Sequence, residues 1–157
     1  MQSRLDATKY LGTGMGRAML ALSNEVGSNL DRKIFELIEI RVSQMNGCAY
    51  CIDMHTKDAR SHGETEQRIY ALDAWREAPF FTERERAALD WAEAVTDVGA
   101  THVPDDVHAR ARAIFSESEL VALTMGVIVI NSWNRLSIAF RAPAGTYQPK
   151  VEAAARA

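Results

Sequence analysis

The chain reads as all-α, one helical domain over residues 1–157. Three observations predict this. No segment sustains the period-two alternation of apolar and polar residues that a half-buried strand shows. Apolar residues recur instead at three- and four-residue steps. Most of these runs are opened by a Ser, Thr or Asp cap and closed by Gly or Pro, which is how helices are punctuated. A chain of this length buries a core without needing disulfides, and it shows no repeat with a period of about 20–50 residues and no low-complexity tract.

Between Ala7 and Val26, the residues Tyr10, Leu11, Met15, Met19, Leu22 and Val26 follow helical spacing that Gly12, Gly14 and Gly16 weaken. This predicts a helix with a loose start, broken at Gly27-Ser28-Asn29. Asp31 is a good N-cap for a second helix ending near Asn46, with Leu30 and Phe35 placed for a hydrophobic staple. Ile34, Phe35, Leu37, Ile38, Val42 and Met45 are its expected buried residues, and Asn46-Gly47 is its stop signal. A third helix starts at or just before Cys48 and runs to Gly63. Thr65 caps a short helix through Ile69, Leu72 and Trp75 that ends before Pro79. Thr82 and Glu85 form a capping box for a helix carrying Ala88, Leu89, Trp91, Ala92 and Val95, closed at Gly99. Pro104 opens a helix with Val107 and Ile114, and Ser116 with Glu119 caps a long one from Glu117 to about Phe140. That last helix is apolar round most of its circumference, which suits a central core element or a subunit contact. Pro143, Gly145 and Pro149 are expected to end the order, leaving Val151–Ala157 as a mobile tail.

The charge pattern excludes some partners. With 18 basic and 21 acidic side chains the net charge is −3, and the signs are interspersed, so there is no basic stripe for a nucleic acid. Met1–Leu11 carries Arg4, Asp6 and Lys9 and no continuous apolar run, so it is not read as a secretory signal, and a cytoplasmic location is expected. The apolar stretch Leu120–Ile130 is too short to span a bilayer and reads as buried helix, so no membrane partner is expected.

The chemistry is concentrated in Cys48-Ala49-Tyr50-Cys51-Ile52-Asp53-Met54-His55, which holds the only two cysteines. On a helix, Cys51 lies roughly 60° and His55 about 20° from Cys48, so both sulfurs and the imidazole share a face. Two thiols at this spacing can close into a disulfide, with a base that titrates near neutrality one turn away. The first turn of a helix also favours a thiolate over a thiol. Two other readings compete: a zinc site from Cys48, Cys51, His55 and His62, which lacks the usual distant second ligand pair, and inert buried thiols. No metal and no cofactor is assigned.

If the second and third helices fold back about Asn46-Gly47, Glu36 comes level with about Lys57, within one turn of His55, and Glu39 with about Met54. Spacing does not choose between these acids. Asn131, Trp133, Asn134 and Arg135 are read as hydrogen-bonding groups at a packing seam or subunit contact, Met45 and Met54 as core fillers. His62, His102 and His108 are given no role.

Glu36, followed twelve positions later by Cys48-Ala49-Tyr50-Cys51 and then His55, with the surrounding Arg41-Val42-Ser43-Gln44-Met45-Asn46-Gly47, resembles the core of the alkylhydroperoxidase D-like members of the carboxymuconolactone decarboxylase family. Ala74-Trp75-Arg76-Glu77 and Ile130-Asn131-Ser132-Trp133-Asn134-Arg135 are similar to the same subfamily, and the similarity extends from Asp31 to Arg141. The resemblance implies an all-helical bundle with the C-x-x-C at a helix N-terminus, a symmetric homo-oligomer (trimer or hexamer), and thiol-dependent reduction of alkyl hydroperoxides. It implies Cys51 as the peroxidatic cysteine, Cys48 as the resolving one, and His55 and Glu36 as the proton relay, which selects Glu36 over Glu39. It also implies an external dithiol reductant of the lipoamide or thioredoxin type. Tyr50 departs from the pattern, since better-known members have a histidine between the cysteines; a phenol with an ordinary pKa of about 10 replaces a group that shuttles protons near neutrality. Lactone decarboxylation is disfavoured, because the true decarboxylases lack the cysteine pair. The alternatives are a thiol–disulfide oxidoreductase or redox sensor acting on protein partners, and a non-enzymatic helical oligomer.

Overall fold

A computed structural model describes residues 2–149, and among these there are helices and connecting segments but no strand. The helices are α1 (Gly14–Asn29), α2 (Arg32–Asn46), α3 (Ala49–Ser61), α4 (Glu66–Ala71), α5 (Glu83–Thr96), α6 (Val98–Thr101), α7 (Asp105–Ile114) and α8 (Glu117–Phe140). Single 3-10 turns at Ala7–Tyr10 and Leu72–Ala74 complete the set. The caps form as the sequence predicts: Asp31 accepts from the N–H of Ile34, Thr65 from Arg68, and both Thr82 with Glu85 and Ser116 with Glu119 close reciprocal capping boxes.

α2 is the central helix. One side gives Ile34, Ile38 and Val42 to a core shared with α5, α7 and α8, among them Trp91, Phe115, Leu123 and Ile130. The other gives Leu37 and Ile40 to a second core with Ala59, Leu72, Trp75, Phe81 and Leu89. Its remaining face carries Glu36, Glu39 and Ser43. A helix apolar on two sides and polar on the third is held by burial on both flanks while its acids stay in the seam with α3.

Four expectations need correction. α1 begins at Gly14, because Thr13 caps the N–H of Gly16, and it continues through Gly27-Ser28-Asn29 because Ser28 and Asn29 both donate back to the Glu25 carbonyl, at 2.8 and 2.7 Å. Gly99 lies inside the one-turn α6 rather than closing α5, whose end is at Asp97. Met45 is exposed, so it fills no core. Pro143, Gly145 and Pro149 do not end the order: Gly145 N–H donates to Asp53 (2.9 Å), Tyr147 hydroxyl to Asp58 (2.7 Å), and Lys57 Nζ to the Tyr147 carbonyl (3.0 Å), so this segment lies along α3. The Val151–Ala157 tail lies outside the described residues.

By length and composition α8 is apolar enough to cross a membrane. It packs as a core helix against α1, α2 and α5, with Leu120, Leu123, Val127 and Ile130 inward, and it buries the polar Asn134 among them. Its outer face leaves Val121, Ile128 and Ile138 exposed.

Candidate active site

The site is built on the turn between α2 and α3. Gly47 has φ +67°, a left-handed conformation that favours glycine, and Cys48 N–H returns to the Ser43 carbonyl at 3.0 Å. A polar seam fixes this turn against α8: Asn46 donates to Asn134 and Asn131 at 2.9 and 3.0 Å, and the fully buried Asn134 donates to Ser43 at 3.0 Å. Asn131 also donates to Thr96, and Trp133 to Ser23. These groups therefore form the packing seam that the sequence suggested.

Cys48 is the N-cap of α3, and its Sγ accepts the Cys51 N–H at 3.3 Å. The two cysteines are joined as a disulfide with Cα atoms 5.3 Å apart, and both are only 1% exposed. Sulfur at a helix N-cap sits among unpaired N–H groups and at the positive end of the dipole, so negative charge on Cys48 is favoured there.

One turn beyond Cys51, His55 is buried on the same face of α3. Its Nδ1 lies 3.2 Å from Glu39 Oε2, while its buried Nε2 has no hydrogen-bond partner. Burial opposes the charged ring. The Glu39 carboxylate, with Asp58 and Glu36 behind it, outweighs that and raises the His55 pKa above its ordinary 6.5.

Glu36 does not pair with His55. His62, the C-cap of α3, donates from Nδ1 to Glu36 Oε1 in a short hydrogen bond. Burial pushes the Glu36 carboxyl above its ordinary 4.5; the hydrogen bond and charge of His62 work against this, and the charge of Glu39 adds to it. The structure thus brings together Cys48, Cys51, His55 and Glu39, with Glu36 one turn back on α2 against His62. The antiparallel register already set Glu39 level with Met54, beside His55; the resemblance, not the spacing, favoured Glu36. The sequence pattern assigns His62 no role, although seven residues after His55 it falls within about 20° of the same helix face.

Tyr50, between the cysteines, is partly buried, and it is one of the groups acting on Tyr147. Burial, the hydrogen bond to Asp58 and the charges of Asp58 and Tyr50 push the Tyr147 phenol up to about 12, so it stays a donor. A groove of about 500 Å³ lined by Trp75, Arg76, Asp90 and Arg110, among others, takes no residue from this site. Among the described residues no group of three or more His, Cys, Asp and Glu side chains is arranged to hold a metal ion.

The family model for the carboxymuconolactone decarboxylase family matches residues 14–94. An uncharacterized protein of Bacillus subtilis, YdfG, is 54% identical over 112 residues, covering 71% of this chain and 76% of that protein. A crystal structure from Agrobacterium tumefaciens, of a protein of unknown function described as a candidate antioxidant defence protein AhpD, superposes with a TM-score of 0.88 at 40% identity, covering 93% of this chain and all of the other. The alkyl hydroperoxide reductase AhpD of Rhizorhabdus wittichii is 49% identical over 41 residues, 26% of this chain and 24% of that protein.

Proposed function

The chain belongs to the carboxymuconolactone decarboxylase family as an alkylhydroperoxidase D-like member, and on that premise we propose that it is a thiol-dependent peroxidase reducing alkyl hydroperoxides through Cys51 and Cys48. The observation that carries this reading is the buried His55 Nε2 without a partner, one turn from a disulfide-bonded cysteine. An unpaired buried ring nitrogen costs stability. In the reduced protein a thiol at Cys51 would supply the missing partner.

Reduction of the disulfide gives two thiols. Cys51 passes its proton to His55 Nε2, and the imidazolium is held by Glu39 on the opposite nitrogen, with Glu36 acting through its charge. The Cys51 thiolate attacks the distal peroxide oxygen; the O–O bond breaks, the sulfur becomes a sulfenic acid, and the departing alkoxide takes the His55 proton to leave as an alcohol. Cys48 then attacks the Cys51 sulfur, the S–O bond breaks, and hydroxide leaves as water with the Cys48 proton. The Cys51 N–H directed at Cys48 Sγ favours the thiolate that this second attack needs. An external dithiol of the lipoamide or thioredoxin type returns two electrons and two protons.

Burial of both sulfurs suits a small peroxide better than a protein disulfide, which ranks the protein-directed oxidoreductase second. Assembly into a trimer or hexamer belongs to the same proposal; Met15 on α1 and Val121 and Ile128 on α8 are apolar side chains left in solvent for such a contact. A cytoplasmic location, where thiols are kept reduced, also belongs to it. The test is hydroperoxide consumption with a dithiol donor such as dihydrolipoamide. Cys51→Ser is expected to fall to the uncatalysed rate; wild-type turnover in that variant overturns the assignment.

A further inference from the structure

Beyond the cysteines lies a second histidine–carboxylate pair. Glu36 and Glu39 are three residues apart on α2 and so share a face, as His55 and His62 do seven apart on α3. The facing helices thus carry two acid–base pairs in one seam, Glu39 with His55 inside and Glu36 with His62 at the rim. Glu36 is buried, whereas the His62 side chain is 27% exposed.

Resting on the thiol chemistry proposed above, we infer that His62 is a positioning residue: its charge fixes the ionisation of Glu36, and Glu36 in turn sets how firmly His55 holds the proton taken from Cys51. Two carboxylates on adjacent turns of a largely buried face cannot both stay ionised without cations opposite them. The two pairs are therefore coupled through the charges that face one another across the seam. The other charged groups facing this set are Arg32 on α2 and Asp58 on α3, with Tyr147 donating to Asp58. Glu64, after α3, is held by Arg68 and the Thr65 N–H.

The sign of the effect is fixed. Without His62, Glu36 loses the cation and hydrogen bond that oppose its burial and takes up a proton, and His55 loses the support of that carboxylate's charge. This disfavours the Cys51 thiolate.

The experiment follows alkylation of Cys51 by iodoacetamide against pH in the reduced full-length chain, read by peptide mass spectrometry, with thermal melts of each variant. His62→Gln keeps a donor to Glu36 without the charge; its alkylation midpoint is expected to rise by about 0.5 pH unit, roughly a threefold fall in thiolate at neutral pH. His62→Lys restores a fixed cation and is expected to bring the midpoint back. A His62→Gln profile that superimposes on wild type, or a His62→Lys profile displaced upward like that of His62→Gln, overturns the inference, as does a Cys51 that no pH makes reactive. Alkylation needs no peroxide. A wild-type protein that alkylates as described but consumes no hydroperoxide therefore contradicts the peroxidase reading and leaves this one standing.

Discussion

Buried and half-buried carboxylates meet two kinds of partner in this molecule. Around α5 the partner is arginine. Glu93 accepts from Arg41 and Arg76 at 2.7 Å and from the Trp75 indole at 2.8 Å, Glu85 from Arg68 at 2.6 Å and the Thr82 N–H at 2.7 Å, and Asp90 from Arg110 at 2.7 Å. Burial pushes Glu93 up, but hydrogen bonds from Trp75, Arg41 and Arg76 outweigh it and hold the carboxyl below its ordinary 4.5. In the α2–α3 seam the partner is histidine, and both His55 and Glu36 are shifted upward. Arginine fixes a charge at every physiological pH, while histidine leaves a proton to be shared near neutrality. The first region pairs its acids with fixed charges, and the second with a side chain whose ordinary pKa lies near neutrality.

Activity and stability should therefore separate along this line. His55→Gln removes the proposed base and is expected to lower hydroperoxide kcat/KM by roughly 10²–10⁴-fold, with a melting temperature close to wild type at alkaline pH, where the charge of His55 no longer contributes. A smaller loss than tenfold would remove the chemical half of the contrast. Glu93→Gln weakens the hydrogen bonds from Arg41, Arg76 and Trp75, while Arg41 keeps Asp73 and Arg76 keeps Asp90, and is expected to cost ~2 kcal/mol in urea unfolding, with turnover per folded chain unchanged. Unaltered stability there would remove the structural half.

The two regions should also bend the pH–stability curve in opposite senses. Glu93 and Glu85 have lowered folded pKa values, so their contribution is full above the ordinary 4.5 and is lost as pH falls through the folded values. His55 has a raised pKa, so its contribution is full below 6.5 and is lost as pH rises through the folded value. Thermal melts should show an acid loss that Glu93→Gln shrinks and an alkaline loss, beginning above pH 6.5, that His55→Gln flattens. The smallest change expected is Gly47→Ala. At φ +67° a Cβ costs ~1–2 kcal/mol, and the variant should also slow thiol chemistry by displacing Cys48, a secondary effect absent from an alanine placed elsewhere in the α2–α3 hairpin.

Much of the fold was legible because caps and stops are local. Asp31, Thr65, Thr82 with Glu85, and Ser116 with Glu119 each act over three residues, and the helices begin beside them. The start of α1 was less legible, since Thr13 competes with three nearby glycines to set it. The motif was legible, and the Cys48–Cys51 pair does open α3, with Cys51 and His55 buried one turn apart. Which acid meets His55 was not, because Glu36 and Glu39 are separated only by the tertiary offset of α3 against α2, which register arithmetic fixes only to about a turn. The role of His62 is not legible in the sequence, because a histidine at a helix end usually points to solvent. Only the opposing helix shows that Glu36 is there to meet it.

The central claim is best tested by a single turnover. Reduced protein mixed with an equimolar alkyl hydroperoxide should lose both thiols, form the Cys48–Cys51 disulfide and release one alcohol, while Cys48→Ser should stop at a trappable sulfenic acid on Cys51. Thiols that persist beside unconsumed peroxide, or a sulfenic acid formed on Cys48 in Cys51→Ser at the wild-type rate, would contradict it.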